Sequence, residues 1–205
     1  INCLVPDRSM TCIQLAFNIA KSKGFRNEEK RLFRKTIDDF LGKNLVTEAI
    51  EFAEEEGEYL EVEHLKHWDV TLFELEGKTL AAAETARKYG FSQRAIEYYE
   101  KLGRYHEAGI IAERDKDLEK ARELYRKAKD YTRVVELEEK QGLGKEEIAA
   151  LCKEGIEYCR TKSKFLIAAK LTKKIGDKEK LEEICKEGII ECLLKKKDIK
   201  RNESV

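Results

Sequence analysis

The sequence predicts an all-α protein of about 11–12 helices stacked as antiparallel hairpins. Three observations predict it. Apolar residues recur at helical spacing along nearly the whole chain, although charged residues make up 40% of it. Gly or Asp interrupts the pattern after about a dozen residues each time, and Pro6 is the sole proline, so few obligatory breakers stand inside helices. The chain also resembles itself. AIEFAEEEGEY (49–59) matches AIEYYEKLGRY (95–105), and KEEIAALCKEGIEYC (145–159) matches KEKLEEICKEGIIEC (178–192) at an offset of 33. DLEKARELYRKA (117–128) fits the same frame, with Ala121 at the place of Ile148 and Leu181. One amphipathic hairpin of this size cannot bury its apolar face alone, so neighbours must stack into one core.

The elements follow in order. Residues 9–24 put Cys12, Leu15 and Ile19 on one helical face, with Ser9 or Thr11 as cap and Gly24 as stop. Residues 27–42 run from Asn27 to Gly42 with a stripe of Leu32, Phe33, Ile37, Phe40 and Leu41, and Glu28 and Glu29 suit the helix dipole. A third helix covers 44–57. Over 58–76 the alternation Leu60–Val62 mimics a strand, but Leu65, Trp68, Leu72, Phe73 and Leu75 continue a helical stripe. From Thr79 the expected helices are 79–89, 92–102, 105–115, 118–129, 131–141, 145–161, 164–175 and 178–196. Gly90, Gly103, Asp117, Gly142, Gly144 and Gly176 mark their joints. This divides the chain into an N-terminal helical segment (1–77), repeats (78–196) and a basic tail (197–205) expected to fray.

Bulk composition excludes several classes. Lys+Arg and Asp+Glu both number 41, so global charge favours neither nucleic acid nor a membrane surface. Lys and Glu abound while Gln stands only at 14, 93 and 141, the composition of a hyperthermophile protein. No apolar run approaches the roughly 20 residues of a membrane span. INCLVPDRS lacks the basic start and apolar core of a signal peptide, so a cytoplasmic location is expected. The chain begins with Ile1 rather than Met, so a processed or truncated piece of a longer polypeptide is one expectation.

The stretch 95–128 carries a family likeness. Tyr105, Ala108-Gly109, Ala112, Ala121, Tyr125 and Ala128 have the order and spacing of aromatic, small-Gly, small, Ala, aromatic, Ala. This resembles the tetratricopeptide (TPR) signature. Phe165, Ala168-Ala169, Thr172, Leu181, Cys185 and Gly188 form a second copy, and Ala82-Ala83, Ala86, Ala95, Tyr99 and Leu102 a third. The family's Trp and terminal Pro are absent, and Ala95 to Ala121 is a step of 26 against roughly 34 in the family. Such short hairpins look like the α-solenoid repeats of clathrin and coatomer-type coat proteins. The resemblance implies a right-handed superhelix of TPR-like α-solenoid type. It also implies a ligand in the concave groove lined by the first helix of each pair. The places carried over are Arg87, Lys88, His106, Arg114, Arg133, Lys140, Lys170, Lys173 and Lys174, with Glu84, Ile110 and Glu113 among them. The set is mostly basic, so an acidic peptide or protein surface is the expected ligand. The Asn residues of carboxylate-clamp members are missing.

Other constellations have a bland and a sharp reading. Cys152, Cys159, Cys185 and Cys192 form two pairs spaced by seven. Two such sulfurs lie about 10.5 Å apart along a helix, too far for one zinc, whose thiolates sit within about 4 Å of each other. The cysteines read as small buried hydrophobes, and the alternative is the disulfides Cys152–Cys185 and Cys159–Cys192, tolerated in hyperthermophile cytosol. His64 and His67 are a weak metal edge with Glu61 or Glu63, or exposed histidines beside a core Trp68. Residues 48–76 hold eleven acids against one base, Lys66. They form a solvated face, or a surface for a basic partner or for the basic end of another copy.

No phosphate-binding loop, HExxH or nucleophile elbow is present, so no enzyme activity and no cofactor are expected. The leading expectation is a protein-interaction scaffold. A structural solenoid arm of a larger multidomain assembly is the alternative, and a nucleic-acid-binding repeat is less favoured because exposed aromatics are not interleaved with the bases. A homo-oligomer is compatible with the sequence.

Overall fold

The computed structural model describes residues 12–202, with side chains to 194. Among the described residues stand twelve α-helices and no strand: α1 (Cys12–Lys23), α2 (Arg26–Gly42), α3 (Val46–Glu55), α4 (Tyr59–Leu75), α5 (Thr79–Tyr89), α6 (Ser92–Lys101), α7 (Tyr105–Arg114), α8 (Leu118–Lys127), α9 (Tyr131–Lys140), α10 (Lys145–Thr161), α11 (Phe165–Ile175) and α12 (Lys178–Asn202). The expected cap residues Ser9 and Thr11, together with Cys3 and residues 203–205, lie outside the described residues. Helix α12 runs past the expected end at 196 to Asn202. No Gly or Pro interrupts residues 197–202, and the Lys and Arg among them are good helix formers.

One junction type recurs. Each helix from α1 to α11 is followed by a residue of positive φ: Gly24, Asn44, Gly57, Gly77, Gly90, Gly103, Lys116, Lys129, Gly142, Ser163 and Gly176. After α1 to α10 the next N–H then reaches back five residues, as in Phe91 to Ala86 (2.8 Å), Asp117 to Ala112 (2.9 Å) and Asp130 to Tyr125 (2.9 Å). This closure satisfies the last carbonyls of each helix. Two expected joints shift accordingly. Gly42 lies inside α2 and the turn falls on Asn44. Asp117 is not the breaker. It caps α8, accepting the Lys120 N–H at 3.0 Å, and Lys116 makes the turn.

The left-handed residues at 90, 103, 116, 129 and 142 are spaced by a constant 13. Burial follows the same frame. Ala82, Ala95, Ala108, Ala121 and Val134 are all buried. Helices α3 and α6 to α9 have 10 residues, whereas α2, α4 and α10 have 17. The added seven residues make nearly two turns, so a helix lengthens while its end keeps the same direction. Past Gly142, α10 carries this addition.

The chain forms two compact units, residues 1–85 and 86–205, with the boundary inside α5. In the first unit α1, α2, α3 and α4 pack on their sequence neighbours. Its centre is aromatic. Phe17 meets Phe52 edge-on at 5.3 Å, and Phe33 stacks on Phe52 at 5.4 Å. That cluster decides the face of α1. Phe17 and Ala20 are buried, while Leu15 and Ile19, the expected inner face, point outward. Two apolar stripes compete on this helix, and the one bearing the ring wins because it buries more area. The inner face of α4 is Val62, Leu65 and Val70, and Trp68 is 51% exposed rather than in the core.

In the second unit successive helices from α6 to α12 pack in the same way. Large side chains of one helix sit against glycines of the next. A Cβ on Gly109 would stand 2.7 Å from the Tyr125 ring. A Cβ on Gly155 would stand 2.6 Å from Tyr131 Cβ on α9 and 2.8 Å from Leu171 Cδ1 on α11. Cys152, Ile156 and Cys159 join Tyr131, Val135, Ala168, Leu171 and Ile184 in one core cluster.

Candidate interaction surface

The odd helices α7, α9 and α11 are tied to one another by charge. Lys140 of α9 reaches Glu113 of α7 at 3.4 Å, and Lys174 of α11 reaches Glu139 of α9 at 2.6 Å. His106 Nδ1 lies 2.9 Å from the carboxylate of Asp130, which also caps α9 through the Arg133 N–H. At the centre, the fully buried Tyr125 donates its hydroxyl to Glu113 Oε2 at 2.9 Å. Burial, and then this bond, push the Tyr125 phenol far above its ordinary range. Burial also raises the Glu113 carboxyl, but hydrogen bonds from Tyr125 and Lys140 and the charges of Lys140 and Arg133 outweigh it, leaving Glu113 lower than usual.

The nine expected groove residues divide into three groups. His106, Arg114, Arg133, Lys140 and Lys174 already have an acidic partner, Arg114 in Asp115 and Arg133 in Glu136. Lys88 lies over its neighbour's ring, Tyr89, at 5.2 Å. Arg87, Lys170 and Lys173 are exposed and have no ion-pair partner among the described residues. Five of the nine basic places therefore already meet an acid, close in sequence for Arg114 and Arg133 and from another part of the fold for His106, Lys140 and Lys174.

The remaining candidates are placed as follows. His64 and His67 are exposed on α4, and among the described residues no three His, Cys, Asp or Glu side chains come together to hold a metal. In the acidic segment 48–76, Glu56 pairs with Lys21 and Glu54 with Lys66 at 3.2 Å. The alternative disulfides Cys152–Cys185 and Cys159–Cys192 are absent among the described residues. Cys12, Cys152, Cys159, Cys185 and Cys192 are free thiols, with Cys152 and Cys159 buried and Cys185 and Cys192 exposed. Burial raises the thiols of Cys152 and Cys159, which are inert in that state.

Two features escaped the sequence reading. Glu138 is buried at 4% exposure on α9, in the 26-residue frame of Ala86 and Ala112. Arg122 and Arg126 of α8 hold it at 3.4 and 3.3 Å. Its misfit to that alanine frame was the available signal. The second is an apolar groove of about 570 Å³ along α11 and α12, lined by Phe165, Leu166, Ala169, Ile189, Cys192 and Leu193 among others.

No protein-family model matches the chain, and no curated protein matches it. Among solved structures, the crystal structure of BtubC (BKLC) from P. vanneervenii is similar, with 13% identity over 87% of this chain and 90% of that chain, at a TM-score of 0.38. No helix among the described residues is long and apolar enough to cross a membrane.

Proposed function

We propose that this chain is a TPR-like, non-enzymatic protein-interaction scaffold whose charged ridge on α7, α9 and α11 takes an acidic polypeptide segment. One observation carries the reading: Glu113–Lys140 and Glu139–Lys174 run from helix to helix across the ridge. Partly exposed pairs of this kind are individually weak, so a ligand carboxylate exchanges for Glu113 or Glu139 at small cost. The exposed Lys170 and Lys173 add cations that need no exchange. Affinity comes from several such contacts along an extended segment, as in other helical-repeat surfaces.

The test is fluorescence anisotropy with a labelled Glu-rich peptide and a Lys-rich control. Only the acidic peptide binds, and binding weakens with salt. Lys170→Glu/Lys173→Glu weakens it about tenfold, the sum of two reversed surface contacts. Equal binding of both peptides, or unchanged affinity in the charge-reversed variant, overturns the proposal.

A further inference from the structure

The two halves of the 33-residue sequence match meet different fates. On α10, Cys152, Ile156 and Cys159 are buried by α11, which seats Ala168 and Leu171 against them. On α12 the equivalent Cys185, Ile189 and Cys192 are exposed, Ile189 by 61%. The glycines tell the same story. Gly155 is pinched by Tyr131 on one side and Leu171 on the other, whereas a Cβ on Gly188 meets only Phe165 of α11. The groove along α11 and α12 is thus a repeat seat, equivalent to the one that takes α11 on α10. It is lined by Leu166 and Leu193 as well, 73% and 60% exposed, a contiguous apolar patch of the kind that marks an interface. A helix antiparallel to α12 fits it, as α11 runs antiparallel to α10.

We propose that a second copy of this chain fills this seat, with the two α12 helices packed antiparallel about a twofold axis near Gly188 and Ile189. The stripe is self-complementary about that point. Cys185 and Cys192 stand symmetrically on either side of it, so each Cys185 lies beside the partner's Cys192 and Ile189 packs near the partner's Ile189. The charges agree with this direction. The sequence of α12 is acidic at 179–183, KLEE preceded by Glu179, and strongly basic over 195–201, KKKDIKR. Glu183 is taken by Arg160 at 3.1 Å and Glu182 lies 3.7 Å from Lys186, an exposed pair that is individually weak, while Glu179 is exposed and has no ion pair among the described residues. Antiparallel pairing sets this acidic end against the basic segment of the partner, whereas parallel pairing sets like against like. An isologous contact of this type closes on itself as a dimer. It stands independently of peptide binding on the ridge.

The test uses the full chain. Sedimentation velocity gives twice the 23.8 kDa of one chain. Ile189→Glu/Leu193→Glu weakens dimerisation about a hundredfold, as expected for central apolar contacts, with unchanged helicity by circular dichroism and retained binding of the Glu-rich peptide. In a Cys3→Ser/Cys12→Ser background, mild oxidation gives a covalent dimer. Adding Cys185→Ser or Cys192→Ser abolishes it in either variant alone, and mixing the two variants restores it. A monomer at all concentrations overturns the proposal. So does a dimer that survives the glutamates, or a single-cysteine variant that cross-links to itself.

Discussion

Gly155 is the position where the packing makes its most demanding claim, and Gly155→Ala tests it. On an exposed helix the exchange stabilises by about 1 kcal/mol, because Ala is the better helix former. Here the new Cβ falls 2.6 Å from Tyr131 Cβ and 2.8 Å from Leu171 Cδ1. Ordinary carbon contacts lie near 3.5–4.0 Å, so each neighbour must retreat by most of an ångström. Leu171 has some rotamer freedom, although it is buried. Tyr131 Cβ is bonded to the backbone of α9, so relief on that side means moving the helix. The Tyr131 hydroxyl further ties α9 to α10 by donating to Glu154 at 2.7 Å. Overpacking of a dense core costs about 1–3 kcal/mol, and this site belongs at the upper end. After the propensity gain, a net loss of about 2 kcal/mol is expected in urea unfolding followed at 222 nm. Gly188→Ala, whose Cβ meets Phe165 Cβ at 3.0 Å on one side only, is expected near neutral. A Gly155→Ala protein as stable as the parent refutes the claim that α9, α10 and α11 close around this glycine.

Other outcomes follow from the same contacts. Lys116→Gly and Lys129→Gly each stabilise by about 0.5–1 kcal/mol in thermal melts, since relief of the left-handed backbone of about 1–2 kcal/mol exceeds the entropy that Gly adds to the unfolded chain. Glu138→Ala costs less than Arg122→Met/Arg126→Met, about 1 against about 3 kcal/mol. The first leaves partly exposed guanidinium groups that water can reach, and the second strands a buried carboxylate. Burial and the bond to Glu154 push the Tyr131 phenol up to about 12 from an unfolded value near 10. A raised acid contributes stability that is complete below pH 10 and is lost as pH climbs toward 12. Tyr131→Phe should flatten that alkaline loss in denaturant titrations across the window. Finally, thiol titration of denatured, unreduced protein should find all six cysteines free, and in native protein Cys152 and Cys159 should stay unreactive.

The sequence by itself determined the helices and their order, because the signals are local. An apolar stripe of helical period and a Gly or Asp after it report on the chain within one or two turns. Hence all twelve expected helices are present, 59–75 among them, and the 26-residue step is real. It also marked Gly109 as a small packing residue of the repeat frame. Tertiary structure alone decided which of two stripes on α1 turns inward, since Phe33 and Phe52 lie one and two helices away. It placed Trp68 outside the core, and it gave His106, Lys140 and Lys174 the acidic partners Asp130, Glu113 and Glu139 from other parts of the fold. The same reason holds for the cysteines. Cys152 and Cys185 share a motif but not a surrounding, because burial is a property of the helix that lands on top.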